Sequence, residues 1–448
     1  MPPKTCLDPE STCSGNEASG PPTLTDDASP SIPPFEDESI VLDTTIHAPH
    51  DRKVGFGLIL ILGALNAVGA LGIDTYLPAF PAIAKAFRVD DGKVQLSLAV
   101  YFIAAAVGQT VYGPLSDRYG RRLPLIAGLA LFTLSSIGAA LSTSIEMLIV
   151  MRFLMGFGAC SAWVVTRAVV RDLSHGEGAA RLFALMMLVL GVSPILAPQL
   201  GSVIIAHAPW PVLFWTLALF SVVLLVAVAL VLPETHDPLR RSSGGIAPIF
   251  RTYGRLIRDR AFLVPTLVGG LSQSVLFAYL AASPFLYMKH HGVSPEAYGG
   301  LFALNAVGLI GLAQVNAPLL RRFGAGKLSR FATAVQTAGA LTLAGLIFAG
   351  VDGLVPTVLC LVIAVGMQGL IGPTTMMLAL EPHPEAAGSA SALSGTVGFA
   401  FGALTGSLLG AFGGTERPFG FLIAICAFAA LVASQFLPRG LRKESVAD

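Results

Sequence analysis

From Val54 onward the chain is a succession of long apolar runs separated by short polar breaks, and this leaves few folds open to it. A hydrocarbon core takes roughly 20 apolar residues per helix. The breaks place spans near 56–80, 93–115, 123–142, 145–168, 181–205, 211–232, 262–286, 297–319, 329–350, 354–377, 388–412 and 418–437. Only 12% of the residues are charged, against about 25% in a soluble domain. That composition excludes a nucleic-acid-binding protein, a disordered scaffold, a small disulfide-stapled domain and an ordinary soluble enzyme. The 48 glycines suit helices that cross at close range in a membrane. Cys6 and Cys13 lie in a polar tail, and Cys160, Cys360 and Cys426 lie in apolar runs. Their spacing is that of neither a metal site nor a disulfide framework.

Charge divides the chain. Residues 1–54 hold ten acids, three bases and nine prolines, leaving 17 acids and 25 bases for the rest. Such a tail cannot bury enough apolar surface to offset its ordering entropy and is expected to be disordered; translation starting farther along would equally account for it. The longest polar interruption, Pro233 to Arg260, separates six spans from six. The expected organisation is therefore an acidic tail (1–54), a six-helix bundle (55–232), a linker (233–260), a second bundle (261–438) and a short tail (439–448). With the N-terminus in the cytoplasm, the inner segments carry 21 Lys or Arg and the outer segments five. That asymmetry puts both ends inside, which requires an even number of spans.

The halves echo each other. Between spans two and three the chain reads Gly113-Pro-Leu-Ser-Asp117-Arg118-Tyr119-Gly120-Arg121-Arg122; between spans eight and nine it reads Ala317-Pro318-Leu-Leu-Arg321-Arg322-Phe323-Gly324. Arg321 stands where the first copy has Asp117. Repeated halves are typical of secondary transporters, whose substrate site lies between them at mid-membrane.

A charge at bilayer depth is costly and marks function by default. Of the acids beyond the tail, only Asp74 falls well inside a span, and of the bases Arg152 is clearly intramembrane. Span one runs outward and span four inward, which sets the two at similar depth, where they can pair. Separating such a pair leaves a carboxylate in apolar surroundings, where taking up a proton removes the charge; a purely structural ion pair, or no direct contact at all, are the alternatives. Asn66 precedes Asp74 by eight residues and projects within about a quarter turn of it. Gln109, Gln199, Gln273 and Asn305 are further candidates for a substrate cavity. With Gln314 and Gln368, each such residue taken alone is more often glue between helices than a ligand contact. Phe102, Phe277 and Tyr279 stack a drug ring or fill the core.

The segment GPLSDRYGRR resembles the loop motif of the major facilitator superfamily. Asp74-Thr-Tyr-Leu-Pro78-Ala-Phe-Pro81 resembles the multidrug–proton antiporter branch, in particular its Bcr/CflA group of drug exporters. Arg152-Phe-Leu-Met-Gly156-Phe-Gly158-Ala resembles that branch's second motif, and Ser193-Pro194-Ile-Leu-Ala197-Pro198-Gln-Leu-Gly201 its antiporter motif. The resemblance covers about 55–440. It departs from the family at Ser193 and Ala197, where glycines are usual, and at Met155, where Gln is often found. It implies an all-α membrane protein of twelve transmembrane helices in two six-helix halves, with Asp74 and Arg152 in proton coupling. It implies an inner gate at Gly113, Asp117, Arg118, Gly120, Arg121 and Arg122, whose acid docks on the cytoplasmic start of span eleven near 387–391. The arginines are then in reach of Glu381 and Glu385. It also implies a bending helix at Gly191, Pro194, Pro198 and Gly201, since the prolines remove two helical donors. An acidic residue at the position of Asn66 helps some relatives bind cations; Asn66 points instead to neutral or zwitterionic substrates.

No phosphate-binding Gly-rich loop, His-Glu-x-x-His or paired-Cys motif occurs, and the histidines lie in the tail, linker, loops or just past span ends. The expectation is a transporter and not an enzyme, with no cofactor and no metal. It exchanges a small amphipathic drug or antibiotic for protons across the cytoplasmic membrane by alternating access, as a monomer in the bilayer and without nucleic acid. Transport of a native metabolite such as a sugar, purine or secondary metabolite, and a sensor or assembly factor that no longer transports, are the alternatives.

Overall fold

The computed structural model describes residues 56–173, 176–236 and 247–437, with side chains undescribed at 56, 176–190 and 247–249. The acidic tail, part of the linker and the C-terminal tail lie outside the described residues. Among these residues there is helix and no strand. The membrane helices are α1 (Phe56–Asp74), α2 (Asp91–Tyr119), α3 (Arg122–Ala140), α4 (Ile145–Leu173), α5 (Gly176–His207) and α6 (Pro211–Val231). The second set is α7 (Arg260–Pro284), α8 (Pro295–Phe323), α9 (Ala325–Ala349), α10 (Leu354–Gly366, resumed as Gln368–Leu380), α11 (Ala387–Ala411) and α12 (Glu416–Ser434). Eleven are long and apolar enough to cross a bilayer, and the apolar part of α5 is described over Gly191–His207. A linker helix, Ala247–Arg258, joins the sets.

Three spans depart from single straight helices. Pro78 lacks the N–H that the Asp74 carbonyl would accept from, so α1 stops at Asp74. A short turn, Leu77–Ala79, and a second helix, Phe80–Phe87, follow. The first span thus runs on to Phe87, beyond the expected 80. The second departure is the interruption of α10 at Met367. In the third, α7 ends in a widened turn, Phe285–His290.

Within the first set α2 and α3 pack on α4, α3 on α6 and α1 on α5; within the second, α7 packs on α11 and α12, α9 on α12 and α8 on α10. The sets meet chiefly through α2 with α11 and α5 with α8. The repeated loops share one conformation. Gly120 and Gly324 both hold positive φ (86° and 78°). Arg118 lies over the Tyr119 ring and Arg322 over Phe323, each at 5.4 Å.

The two ends of the bundle differ. The basic end carries the 119–122 and 323–325 turns and the linker helix. At the far end the sets close on each other: a Cβ on Gly92 of α2 would sit 2.1 Å from the Gly410 oxygen of α11. Lys289 Nζ meets Asp91 Oδ2 at 2.6 Å, and Phe80 packs on Phe285 with centroids 5.7 Å apart.

Gly92→Val is therefore expected to force the far end apart. Overpacking costs about 1–3 kcal/mol, and about 1.4 kcal/mol moves a two-state population roughly tenfold. Thiol-reagent labelling of a cysteine placed at Ala99 should accelerate by about that factor, whereas Gly300→Ala, with no atom within 4 Å of its new Cβ, should leave the rate unchanged.

Candidate functional site

The break after Asp74 organises the first site. A helix end leaves its last carbonyls without intrahelical donors. Thr75 N still reaches Leu71 O (3.2 Å), and Arg152 of α4 serves the next carbonyl, its Nη1 donating to Gly72 O at 2.8 Å. The Arg152 side chain is fully buried. Its guanidinium lies between two rings, 4.3 Å from the centroid of Tyr76 and 4.4 Å from that of Tyr101. These faces compensate in part for Nε and Nη2, which have no hydrogen-bond partner. Hydrogen bonds hold the rings: Tyr101 Oη donates to Gly69 O (3.2 Å), and Tyr76 Oη meets Ser97 Oγ (2.8 Å).

Asp74 and Arg152 thus share a level, but the expected ion pair between them is not formed. The arginine is engaged by the freed carbonyl and the two rings. Asp74 is 6% exposed and has no ion-pair partner among the described residues. Both α7 and α8 pack on the Leu77–Ala79 turn that follows the carboxylate, which puts the second half beside the break.

Of the proposed bending motif, Gly201 bears on this site directly. A Cβ there would fall 2.2 Å from Thr75 O, so α5 lies on the break itself. At Gly191 the nearest atom would be 3.9 Å away. Pro194 and Pro198 sit within a helix that runs on to His207. Ser193 and Ala197 are buried, so their small side chains fit where glycine is usual.

Toward the basic end, four rings from four helices form an aromatic layer. Trp163 (α4) stacks on Phe399 (α11) at 5.3 Å, Phe399 on Phe277 (α7) at 5.8 Å, and Phe277 lies 4.3 Å from Phe102 (α2). Trp163 Nε1 donates to the Asn66 carbonyl at 3.0 Å, tying the layer to α1. Beyond it a cavity of about 600 Å³ opens at the basic end. Gln109, Asp117, Arg121, Arg167, Arg171 and Glu385 line it, together with the first turns of α11.

The structure places the five expected cavity residues as follows. Gln109 does face the cavity. Asn66 is buried at the level of the layer. Gln273 packs where α7 meets Gly398, and Gln199 where α5 meets Gly299. Asn305 Nδ2 donates to Leu301 O within its own helix (3.0 Å). Gln368 joins Ser272 and Gln336 in a network between helices. Amides in an apolar bundle find backbone and crossing helices first.

The expected gate contacts also differ. Arg121 is held inside the first set: Nη1 by Asp117 and Ser116 Oγ (2.9 Å), and Nε by Asp172 Oδ2 (2.8 Å). Burial works against its charge, but the hydrogen bonds and charges of Asp172 and Asp117 outweigh this and raise its pKa. Glu234 caps the start of α3, accepting from Arg121 N (2.8 Å) and Arg122 N (3.2 Å). Its carboxylate sits where a Cβ on Gly120 would be, which together with the positive φ makes that position a glycine. Arg122 Nη2 donates to Ala229 O. Glu385 pairs instead with Arg255 of the linker helix (3.6 Å). None of Arg118, Arg121 and Arg122 therefore reaches Glu381 or Glu385: acids hold Arg121, the Ala229 carbonyl takes Arg122, Arg118 lies over the Tyr119 ring, and the cavity separates the two sides. Asp117 and the start of α11 face each other across that cavity.

Sequence reasoning missed Asp172, Glu234, Trp163 and Arg167. The acids sit 51 and 113 residues from Arg121, beyond any local spacing. A signal did exist for Trp163, whose indole N–H in the middle of an apolar run demands an acceptor. Arg167 faces the cavity with no acidic partner among the described residues.

Comparison with known proteins agrees with this architecture. A family model, the Major Facilitator Superfamily, matches residues 62–399. The chain is 35% identical over 406 residues, 90% of its length and 99% of the other's, to a protein of Bacillus subtilis named "Uncharacterized MFS-type transporter YdgK". It is 29% identical over 87% of its length, and 98% of the other's, to a "Bicyclomycin resistance protein homolog" of Haemophilus influenzae. With "Multidrug resistance protein MdtL" of Escherichia coli it shares 31% identity over 56% of its length and 61% of the other's. Among solved structures it is similar in fold to a D-xylose–proton symporter, with a TM-score of 0.67 at 17% identity over 86% of this chain and 98% of that one.

The Arg152 geometry makes a testable claim. An interior hydrogen bond to a charged group contributes about 1.5–3 kcal/mol. Arg152→Met should lower unfolding stability in detergent by about that amount. Arg152→Lys should recover only part of it, because an ammonium cannot lie flat between two rings. Equal stability of all three proteins would refute the assignment.

Proposed function

The chain belongs to the major facilitator superfamily, and we propose that it exports a small amphipathic compound of the drug or antibiotic class in exchange for protons. The arginine-rich end is assigned to the cytoplasm on the positive-inside rule. The cavity then faces inward and the closed far end faces outward. The observation that carries the reading is Asp74, a buried carboxylate with no described ion-pair partner, at a helix break beside both halves. Resemblance to the Bcr/CflA exporters and similarity to the proteins named for bicyclomycin and multidrug resistance support export of a drug-like compound.

In this reading the substrate enters from the cytoplasmic cavity and meets the aromatic layer. Trp163 and Phe102 belong to the first half, Phe277 and Phe399 to the second, so movement of one half against the other parts the layer. The path then reaches Asp74. Proton loss there leaves a charge that burial disfavours unless it is paired. Arg152 lies at the same level, and release from the Gly72 carbonyl would free its guanidinium to pair. Proton uptake from outside restores the arrangement seen here. Asn66 in place of an acid, and Arg167 facing the cavity, favour neutral, zwitterionic or acid-bearing compounds over lipophilic cations.

Asp74→Asn is expected to reach the membrane in normal amount and to lose efflux driven by an imposed pH gradient, falling to the rate of vesicles without the protein. Wild-type efflux at equal expression would sink the proton-linked assignment.

Closing the cytoplasmic side would bring Asp117 to the start of α11. A carboxylate at a helix N-terminus gains about 0.3–1 kcal/mol when exposed and up to about 2 when partly buried. About 1.4 kcal/mol changes a two-state population roughly tenfold. Asp117→Asn should deplete the short-distance population between probes at Tyr119 and Ala387 and slow turnover, while substrate affinity persists. An unchanged distance distribution with intact turnover would leave the loop without a gating role.

A further inference from the structure

At the far end, two elements of the second half bring three metal-binding side chains together. The widened last turn of α7 ends at His290 and His291, and its wide hydrogen bond, His291 N to Leu286 O, measures 3.1 Å. Asp352 lies on the short turn between α9 and α10, fixed by positive φ at Gly350 and by a bond from Gly353 N to Val351 O (3.0 Å). One donor atom from each residue lies within 4.8 Å of the others. His290 Nε2 is 2.9 Å from Asp352 Oδ2, and the two imidazole rings stand 4.7 Å apart and nearly perpendicular. His291 Nε2 is buried with no hydrogen-bond partner among the described residues.

We propose that His290, His291 and Asp352 form a binding site for a divalent transition-metal ion such as zinc. Two imidazoles and one carboxylate suit Zn2+ or its first-row neighbours, whereas Ca2+ and Mg2+ take oxygen ligands. Metal–ligand distances near 2.0–2.2 Å set donors roughly 3–3.5 Å apart around a tetrahedron. Binding would draw the three donors, now within 4.8 Å of one another, to that spacing. The carboxylate lowers the net charge of the bound site. The carbonyls at the C-terminus of α7 further favour a cation. Three protein ligands leave a fourth position for water. The site would fasten the end of α7 to the α9–α10 turn, next to Lys289, whose ion pair with Asp91 links the two halves.

The test uses the full chain, free of any histidine tag and stripped with chelator, in detergent. Zinc binding is followed by calorimetry and cobalt binding by visible absorption, which reports tetrahedral nitrogen and oxygen coordination. One ion per chain is expected. His291→Ala and Asp352→Asn should weaken binding at least about tenfold. His207→Ala, an exposed histidine on α5, should not. All variants should elute as the parent on size exclusion, since His291 and Asp352 lie in turns and His207 is an exposed helix end. Absence of saturable binding, or equal affinity in the parent, His291→Ala and Asp352→Asn proteins, would overturn the site.

Discussion

The bond from Arg152 to the Gly72 carbonyl is the interaction on which the interior of the first half depends. A helix that stops inside an apolar bundle exposes carbonyls that water cannot reach, and each unmet group there is expensive. Pro78 forces the stop, and Arg152 meets part of the cost. A buried guanidinium then needs its own compensation, which Tyr76 and Tyr101 supply with their faces. The tyrosines need acceptors or partners in turn, which explains the Gly69 and Ser97 contacts. Gly201 of α5 can approach the break because it carries no side chain. One proline thus accounts for Tyr76 beside it and for an arginine, a second tyrosine, a serine and a glycine on three other helices.

The same constraint explains why Asp74 stands apart. With Arg152 held by backbone and rings, the buried carboxylate has no ion-pair partner among the described residues. The break beside it is touched by α7 and α8, where the two sets meet, and the proposed proton coupling rests on that position. The aromatic layer lies between Asp74 and the cavity at the basic end. Glycine-to-glycine contact closes the far end, while arginines and an open space mark the basic end. The bundle therefore has one tight end, one loose end and a hydrophobic partition between them, as an alternating-access device requires.

Much of this was legible in the sequence because it follows from local rules. Apolar run length gave the helices, and the repeated Arg-aromatic-Gly turns gave matching conformations. Asp74 and Arg152 stood out because charges are rare at that depth. The partners of those charges were not legible. Arg152 chose a carbonyl, which no side-chain inventory reveals, and Arg121 chose Asp172 and Glu234, which only the three-dimensional path of α4 and α6 brings near. The His290, His291 and Asp352 cluster was hidden for the same reason. Its residues are separated by some sixty positions, and adjacent histidines in a loop carry no spacing signal.

The repeated turn shows which of its residues serve geometry and which serve charge. Both copies place an arginine over the following ring at 5.4 Å and close on a positive-φ glycine. That conformation is reached with Asp117 in one copy and Arg321 in the other, so the acid is not needed to form the turn. Its contribution must then be electrostatic. In the first copy it helps hold Arg121, which Asp172 also binds, and it faces the start of α11 across the cavity. The second copy presents an exposed arginine and no such network. Among the described residues this charge network belongs to the first copy of the turn, and the gating role proposed for Asp117 is accordingly assigned to the first half.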